Sequence, residues 1–170
     1  MKKKIKAQNK YHLQDLIIYE IERNGNFCSL NHIDISKIND LSSLFFRSEF
    51  NGDISKWDVS HVFSMENMFN SSKFNSDIKE WDVRNVKYMD YMFSRSEFRQ
   101  DLSNWKPYEV YRPHVIFCNH EYNEPYWVNY EDKDERMMAI KTYHLEKGIV
   151  KELRKELINK EIIQEKKLKI

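Results

Sequence analysis

The 170-residue chain holds only three glycines, three prolines and two cysteines. So little glycine excludes the glycine-rich loops that cradle phosphates on backbone N–H groups. It also excludes the glycine-rich repeats that ligate calcium, and there is no nucleophile elbow. Cys28 and Cys118 make no disulfide framework, and a reducing compartment suits them. Net charge is nearly absent: 28 basic residues against 27 acidic ones give a formal +1, with no general electrostatic case for nucleic-acid binding. No run approaches the roughly 18 apolar residues that a membrane-spanning helix needs. The lysine-rich start, Lys2 to Lys6, leads into polar Ala7-Gln8-Asn9-Lys10 instead of the apolar stretch of an export leader. A cytoplasmic location is therefore expected.

What the chain has is a period. Trp57, Trp81 and Trp105 recur at one fixed interval, in step with Phe45, Phe69 and Phe93 and with Phe50, Phe74 and Phe98. Ser48, Ser72 and Ser96 form another column, and Met65 and Met68 return as Met89 and Met92. A fixed period of this length marks a solenoid, in which no unit buries its apolar face alone and stacking does so. Trp57 and Val59 have the spacing of one strand face, with Asp58 pointing the other way. Val62, Met65, Met68 and Phe69 have the spacing of one helical face. Each unit thus reads as strand, turn and short helical segment. At about 1.5–3 kcal/mol for each large apolar side chain buried, these columns can supply a core.

Asp53-Ile-Ser-Lys-Trp-Asp-Val-Ser60 with Met65-Glu-Asn-Met-Phe69, repeated as Asp77-Ile-Lys-Glu-Trp-Asp-Val83 with Met89-Asp-Tyr-Met-Phe93, resembles the BspA-like leucine-rich repeats. The variety is the Trp-Asp-Val-Ser type of mycoplasma and other bacterial surface proteins. The resemblance covers Leu30 to Trp105 and implies an α/β repeat solenoid: a short leucine-rich-repeat-like stack of 24-residue units between helical caps. Surface members of that family need an export signal, so this chain departs from them. Pro107 stands where the column of Val59 and Val83 would continue, and the array is expected to end at Lys106-Pro107.

The resemblance also implies a binding face, made by the residues between the buried strand positions. These are Asn31, His32 and Asp34; Ser55, Lys56 and Asp58; Lys79, Glu80 and Asp82; and Ser103 and Asn104, extended by Ser60, His61, Arg84 and Asn85. Their identities change from copy to copy while the core columns hold.

The expected organisation is an N-terminal helical cap over 1–29, the array over 30–106, an aromatic-rich segment over 107–130 and an amphipathic helical tail over 131–170. The first helix runs from about Tyr11 to Arg23, with Leu13, Leu16, Ile17 and Ile21 on one stripe and Gly25 as its stop. In the aromatic segment Tyr122, Tyr126 and Trp127 are of the type enriched at interface hot spots, or else they cover the last repeat. The tail carries a stripe from Ile149 to Ile163, with Gly148 as a break, that packs back on the array, meets a partner or pairs with a second copy.

Candidate chemistry is thin. Aspartates 34, 58 and 82, and 53, 77 and 101, form two columns that suit turn backbone donors better than a cation. His114, Cys118 and His120 lie close together in sequence but lack a fourth ligand at zinc spacing, and no orienting group accompanies a Cys–His pair. No cofactor, metal or catalytic residue is expected. The expected function is a non-enzymatic protein-binding module. One form of it is a steric inhibitor of a bacterial enzyme, such as a phage-encoded blocker of a defence nuclease. The alternatives are a homodimer formed through the tail, or an accessory protein touching nucleic acid through Lys2 to Lys6 and exposed tyrosines, within a complex.

Overall fold

The computed structural model describes residues 4–121 and 124–168, with the side chains of the final helix described as far as Asn159. In chain order come β1 (Ile5–Lys6), α1 (Lys10–Asn24), β2 (Ile33–Asp34), a long succession of turns, two 3-10 turns (Pro113–Val115 and Tyr126–Asn129) and α2 (Lys133–Leu168). β1 and β2 pair in parallel, Ile5 with Ile33 and Lys6 with Asp34.

Helix α1 begins where the Asn9 side chain accepts the His12 N–H at 2.9 Å. It stops where Gly25, at φ 79°, donates to the Ile21 carbonyl. A positive φ at that position is what favours glycine. Leu13 and Ile17 are buried against the turns that follow. The sequence placed this helix to within a residue at each end.

From Ser29 to Phe117 many backbone donors reach an acceptor about one period away. Leu30 N–H donates to Asp53 O, Leu41 to Ser64, Phe45 to Met68, Met65 to Tyr88 and Phe69 to Met92, all at 2.7–3.0 Å. Each acceptor stands one position short of a full period ahead of its donor. Parallel bridges join Ser29 to Asp53, Asp40 to Ser64 and Ser64 to Tyr88. Successive 24-residue stretches therefore lie side by side as layers, in register.

Inside a layer the conformation differs from the one expected. Among the described residues no extended strand or helix forms at Trp57–Val59 or Val62–Phe69: the first stretch is irregular, and the second has a single bridge residue, Ser64, and a turn from Glu66. Ser43, Asn67 and Tyr91 share a φ near +55°, as do Arg47, Ser71, Arg95 and Asn119. Each set keeps the period of the columns, and no α-helix tolerates such residues, each of which costs about 1 kcal/mol. An i, i+3 apolar spacing serves turns that reverse every three residues as well as a helix. Here Met68 N–H reaches Met65 O and Val62 N–H reaches Val59 O, Phe63 reaches back to Asn39 O, and Met65, Asn67 and Phe69 cross to the next layer. Trp57 and Val59 are nonetheless buried and Asp58 exposed, so the alternation of faces survives without the strand.

The columns form the core. The Phe45, Phe69 and Phe93 rings stack at 5.6 Å per step, and Phe50, Phe74 and Phe98 at 6.3 Å. Each tryptophan donates its ring N–H to a carbonyl of the preceding layer: Trp57 to Leu30, Trp81 to Ile54 and Trp105 to Ile78, at 3.0–3.2 Å. That removes the cost of burying an indole donor. Ser48, Ser72 and Ser96 accept the N–H of the phenylalanine two residues on. Gly52 is fixed by a close approach: a Cβ there would stand 2.0 Å from the Cys28 carbonyl oxygen.

The layering does not stop at Lys106-Pro107. Tyr91 and Phe93 donate to Val115 and Ile116, Phe117 stacks on Phe93 at 5.3 Å, and Asn119 extends a positive-φ column. Proline fits in this column because, among the described residues, the Val59 and Val83 N–H groups donate to no protein acceptor. Trp127 then donates to Leu102 O at 3.1 Å, as its predecessors do to theirs.

Helix α2 runs unbroken through Gly148. Asp132 receives the N–H groups of Asp134 and Glu135 at its start. Arg136, 1% exposed, directs its guanidinium to the carbonyls of Pro107, Tyr108, Val110, Tyr130 and Glu131. Ile140 is fully buried, whereas Leu145, Ile149, Val150, Leu153, Leu157 and Ile158 are all exposed. Among the described residues, the tail packs back only through its first turns.

Candidate functional site

The outer face rests on the aspartates. In both columns a carboxylate oxygen accepts the backbone N–H two residues on: Asp34 from Ser36, Asp58 from Ser60, Asp82 from Arg84, Asp53 from Ser55, Asp77 from Lys79 and Asp101 from Ser103, at 2.8–3.2 Å. All six carboxyls are held below the ordinary carboxylate range. For Asp34 and Asp77 the backbone bond is the main cause; for Asp58, Asp82 and Asp101 it is the side-chain bond. At Asp53 partial burial opposes the drop and the bonds outweigh it. These aspartates are turn fasteners, which leaves the residues between them to face solvent.

Of the face residues, Lys56, Asp58, Lys79, Glu80 and Arg84 are exposed, and Ser55 is partly so. Arg84 forks onto Asp82, its Nε 2.8 Å from Oδ1. Asn31 spans two layers, donating to Asp53 and accepting the Lys56 N–H at 2.9 Å. His61 lies 3.2 Å from the Ile35 carbonyl. His32 does not belong to an open face. Its ring meets Glu20 of α1 at 3.1 Å with both side chains less than a tenth exposed, because α1 covers this first layer.

In the aromatic segment, Tyr122 lies outside the described residues. Trp127 is fully buried and continues the indole column, so the structure overturns its placement on the binding surface. Tyr126 is half-buried, with its ring 4.3 Å from Tyr143 of α2. Burial pushes its phenol well up, and the hydroxyl is enclosed without a protein partner among the described residues. His114 pairs with Glu131, and Cys28 and Cys118 are both half-buried. Among the described residues no three His, Cys, Asp or Glu side chains are grouped to hold a metal ion.

Where the last part of the face meets α2 there is an open cleft of about 470 Å³. Lys79, Glu80, Asp82 and Arg84 form one wall, and Asn104, Lys106 and His144 form the other. The His144 Nε2 atom is buried and, among the described residues, has no hydrogen-bond partner. Its imidazole is pushed below the usual histidine value by burial first, then by Lys106 and Lys147. Beyond it an apolar groove of about 440 Å³ begins with Leu145, Ile149 and Leu153 and again includes His144.

Sequence reasoning passed over this cleft and also a row of exposed aromatics. Phe63, Tyr88 and Tyr111 are 40, 41 and 58% exposed, with neighbouring ring centroids 6.4 and 5.4 Å apart. Tyr88 comes one position late for the period and Tyr111 one early for the next, so no column contains all three. Lys106 and His144 are far apart in sequence and share no motif.

A family model matches residues 17–127, that of a family described as Mycoplasma protein of unknown function, DUF285. No curated protein and no solved structure gives a match.

Proposed function

The chain belongs to the DUF285 family, whose description assigns no activity, and we propose that it is a non-enzymatic protein-binding module. In this reading the layers are a short leucine-rich-repeat-like solenoid, which the fixed hydrogen-bond offset and the ring columns support. α1 closes its first layer and the start of α2 its last. A frame of this kind holds exposed side chains in fixed positions, so little ordering entropy is lost when a partner docks. The observation that carries the reading is the open cleft, where exposed residues of the repeated face meet the final helix around a buried imidazole nitrogen with no protein partner among the described residues. Exposed aromatics elsewhere on the surface are the residue type that dominates interface energetics.

Action in this reading is steric: the module covers a partner's surface, such as that of a bacterial enzyme, and transforms nothing. No helix among the described residues is long and apolar enough to cross a membrane. The test is affinity capture from bacterial lysate with the full chain and with a Lys79→Ala/Glu80→Ala/Arg84→Ala variant. These exposed sites can be changed without opening the core. Loss of a retained protein in the variant supports the reading, and no specific retention by either chain defeats it.

The exposed stripe of α2 favours one second reading, self-association. Sedimentation at several concentrations decides it: a mass that does not rise with concentration removes a homodimer.

A further inference from the structure

Two grooves in this molecule share one side chain. On one side of His144 lies the polar cleft, and on the other the apolar face of α2. We propose that this junction seats a segment of a protein partner in which an aspartate or glutamate stands beside large apolar residues. The carboxylate enters the cleft between Lys106 and His144, and the apolar neighbours cover Leu145, Ile149 and Leu153. The inference rests on the protein-binding reading and narrows it to a place and a chemistry.

Three observations point to that occupant. The first is charge. Lys79, Arg84 and Lys106 line the cleft together with Glu80 and Asp82. Arg84 is engaged by Asp82 and Lys79 by Asp77 at 3.0 Å, whereas Lys106 has no carboxylate within 4.0 Å among the described residues. Lys106 is thus the lining cation left outside an ion pair, and it suits the single charge of a carboxylate better than a phosphate dianion, which Glu80 and Asp82 would repel.

The second observation is the enclosed Nε2 of His144, a nitrogen that lacks a protein partner among the described residues. A buried polar group in that condition is costly, and a carboxylate oxygen would satisfy it once the imidazole turns its Nε2 into the cleft. Lys147 does not compete for the same oxygen. Its ammonium lies over the Tyr143 ring at 4.6 Å and donates to Asn104.

The third is the apolar face. Leu145, Ile149 and Leu153 are 65, 52 and 53% exposed, one helical turn apart. At 100° per residue that stripe lies on the side of α2 away from Arg136 and Ile140, which hold the helix to the layers. A docking segment therefore meets no obstruction from the body. Leu145 directly follows His144 of the cleft, so one segment that passes over the edge of α2 reaches both.

Panning phage-displayed random peptides against the full chain tests this. Synthetic copies of the enriched sequences are then titrated against the parent, Lys106→Glu and Ile149→Asp chains, each checked for an unchanged melting temperature. Enriched peptides should pair an acidic residue with Leu, Ile or Phe and bind at least tenfold more weakly to either variant. Bound peptide should also raise the His144 imidazole pKa, followed by NMR, because a nearby carboxylate favours the charged ring. Peptides without an acidic residue, or ones that bind all three chains alike, overturn the proposal while the protein-binding reading stands. No enrichment, with a dimer that Ile149→Asp dissolves, assigns the apolar face to a second copy and overturns it too. No enrichment by a monomer defeats the proposal and the reading together.

Discussion

Phe69 and Leu153 are both large apolar residues, and the molecule treats them oppositely. Phe69 lies between Phe45 and Phe93 and is closed to water, in a layer where several donors, its own among them, end on another layer. Leu153 is more than half exposed on a helix whose backbone bonds are all its own. A layer is stable only because its neighbours are there, so damage to one spreads to the next. The distal half of α2 is stable only as far as its own turns allow. The contrast separates the part of the chain that holds the fold from the part free to serve another surface.

The sharpest way to break the comparison is to truncate both residues. Phe69→Ala should cost about 3–5 kcal/mol and Leu153→Ala about 0.5 kcal/mol or less, read from urea unfolding midpoints. Equal losses would mean that α2 is packed in solution. Next comes the joint between the regions. Arg136→Leu leaves five backbone carbonyls without a donor and should destabilise by about 3 kcal/mol, whereas ending the chain after Lys151 should leave the midpoint almost unmoved.

Acid should act on the layers and spare the distal helix. The six turn aspartates have folded pKa values below their unfolded ones, so their contribution is complete above about pH 4 and is lost as pH falls through the folded values. His120 and His144 are also depressed, by burial first. Their neutral forms are favoured in the fold, so stability should begin to fall below about pH 6.5. The unfolding midpoint should thus decline gently from about pH 7 to 5 and steeply near pH 3. The smallest effect belongs to Gly148→Ala. A Cβ there meets nothing within 4 Å, and the change should stabilise α2 by about 0.5–1 kcal/mol. Helicity by circular dichroism should rise while the layers' midpoint stays put.

Much of this division could be read from the residues. The tryptophan, phenylalanine and methionine columns named the core, Gly25 marked the end of α1, and the aspartates suited turn donors. Local conformation was not legible, because i, i+3 spacing fits a turn chain and a helix equally. The last layer was hidden by arithmetic: Trp127 comes two positions early for the period that Trp105 sets, so an indole of the core passed for one of the surface. His32 was misplaced because nothing in its own repeat announces Glu20. The Lys106–His144 cleft depends on how α2 leaves the last layer, which no repeat encodes.

The buried guanidinium of Arg136 has a consequence for the open end of the stack. Layers joined by parallel backbone bonds have no intrinsic last member, and a bare final layer offers its polar groups to any chain that can add to it. In this molecule the carbonyls of Pro107, Tyr108 and Val110 in that layer are occupied from within. One side chain thus keeps these acceptors from being offered to a second chain.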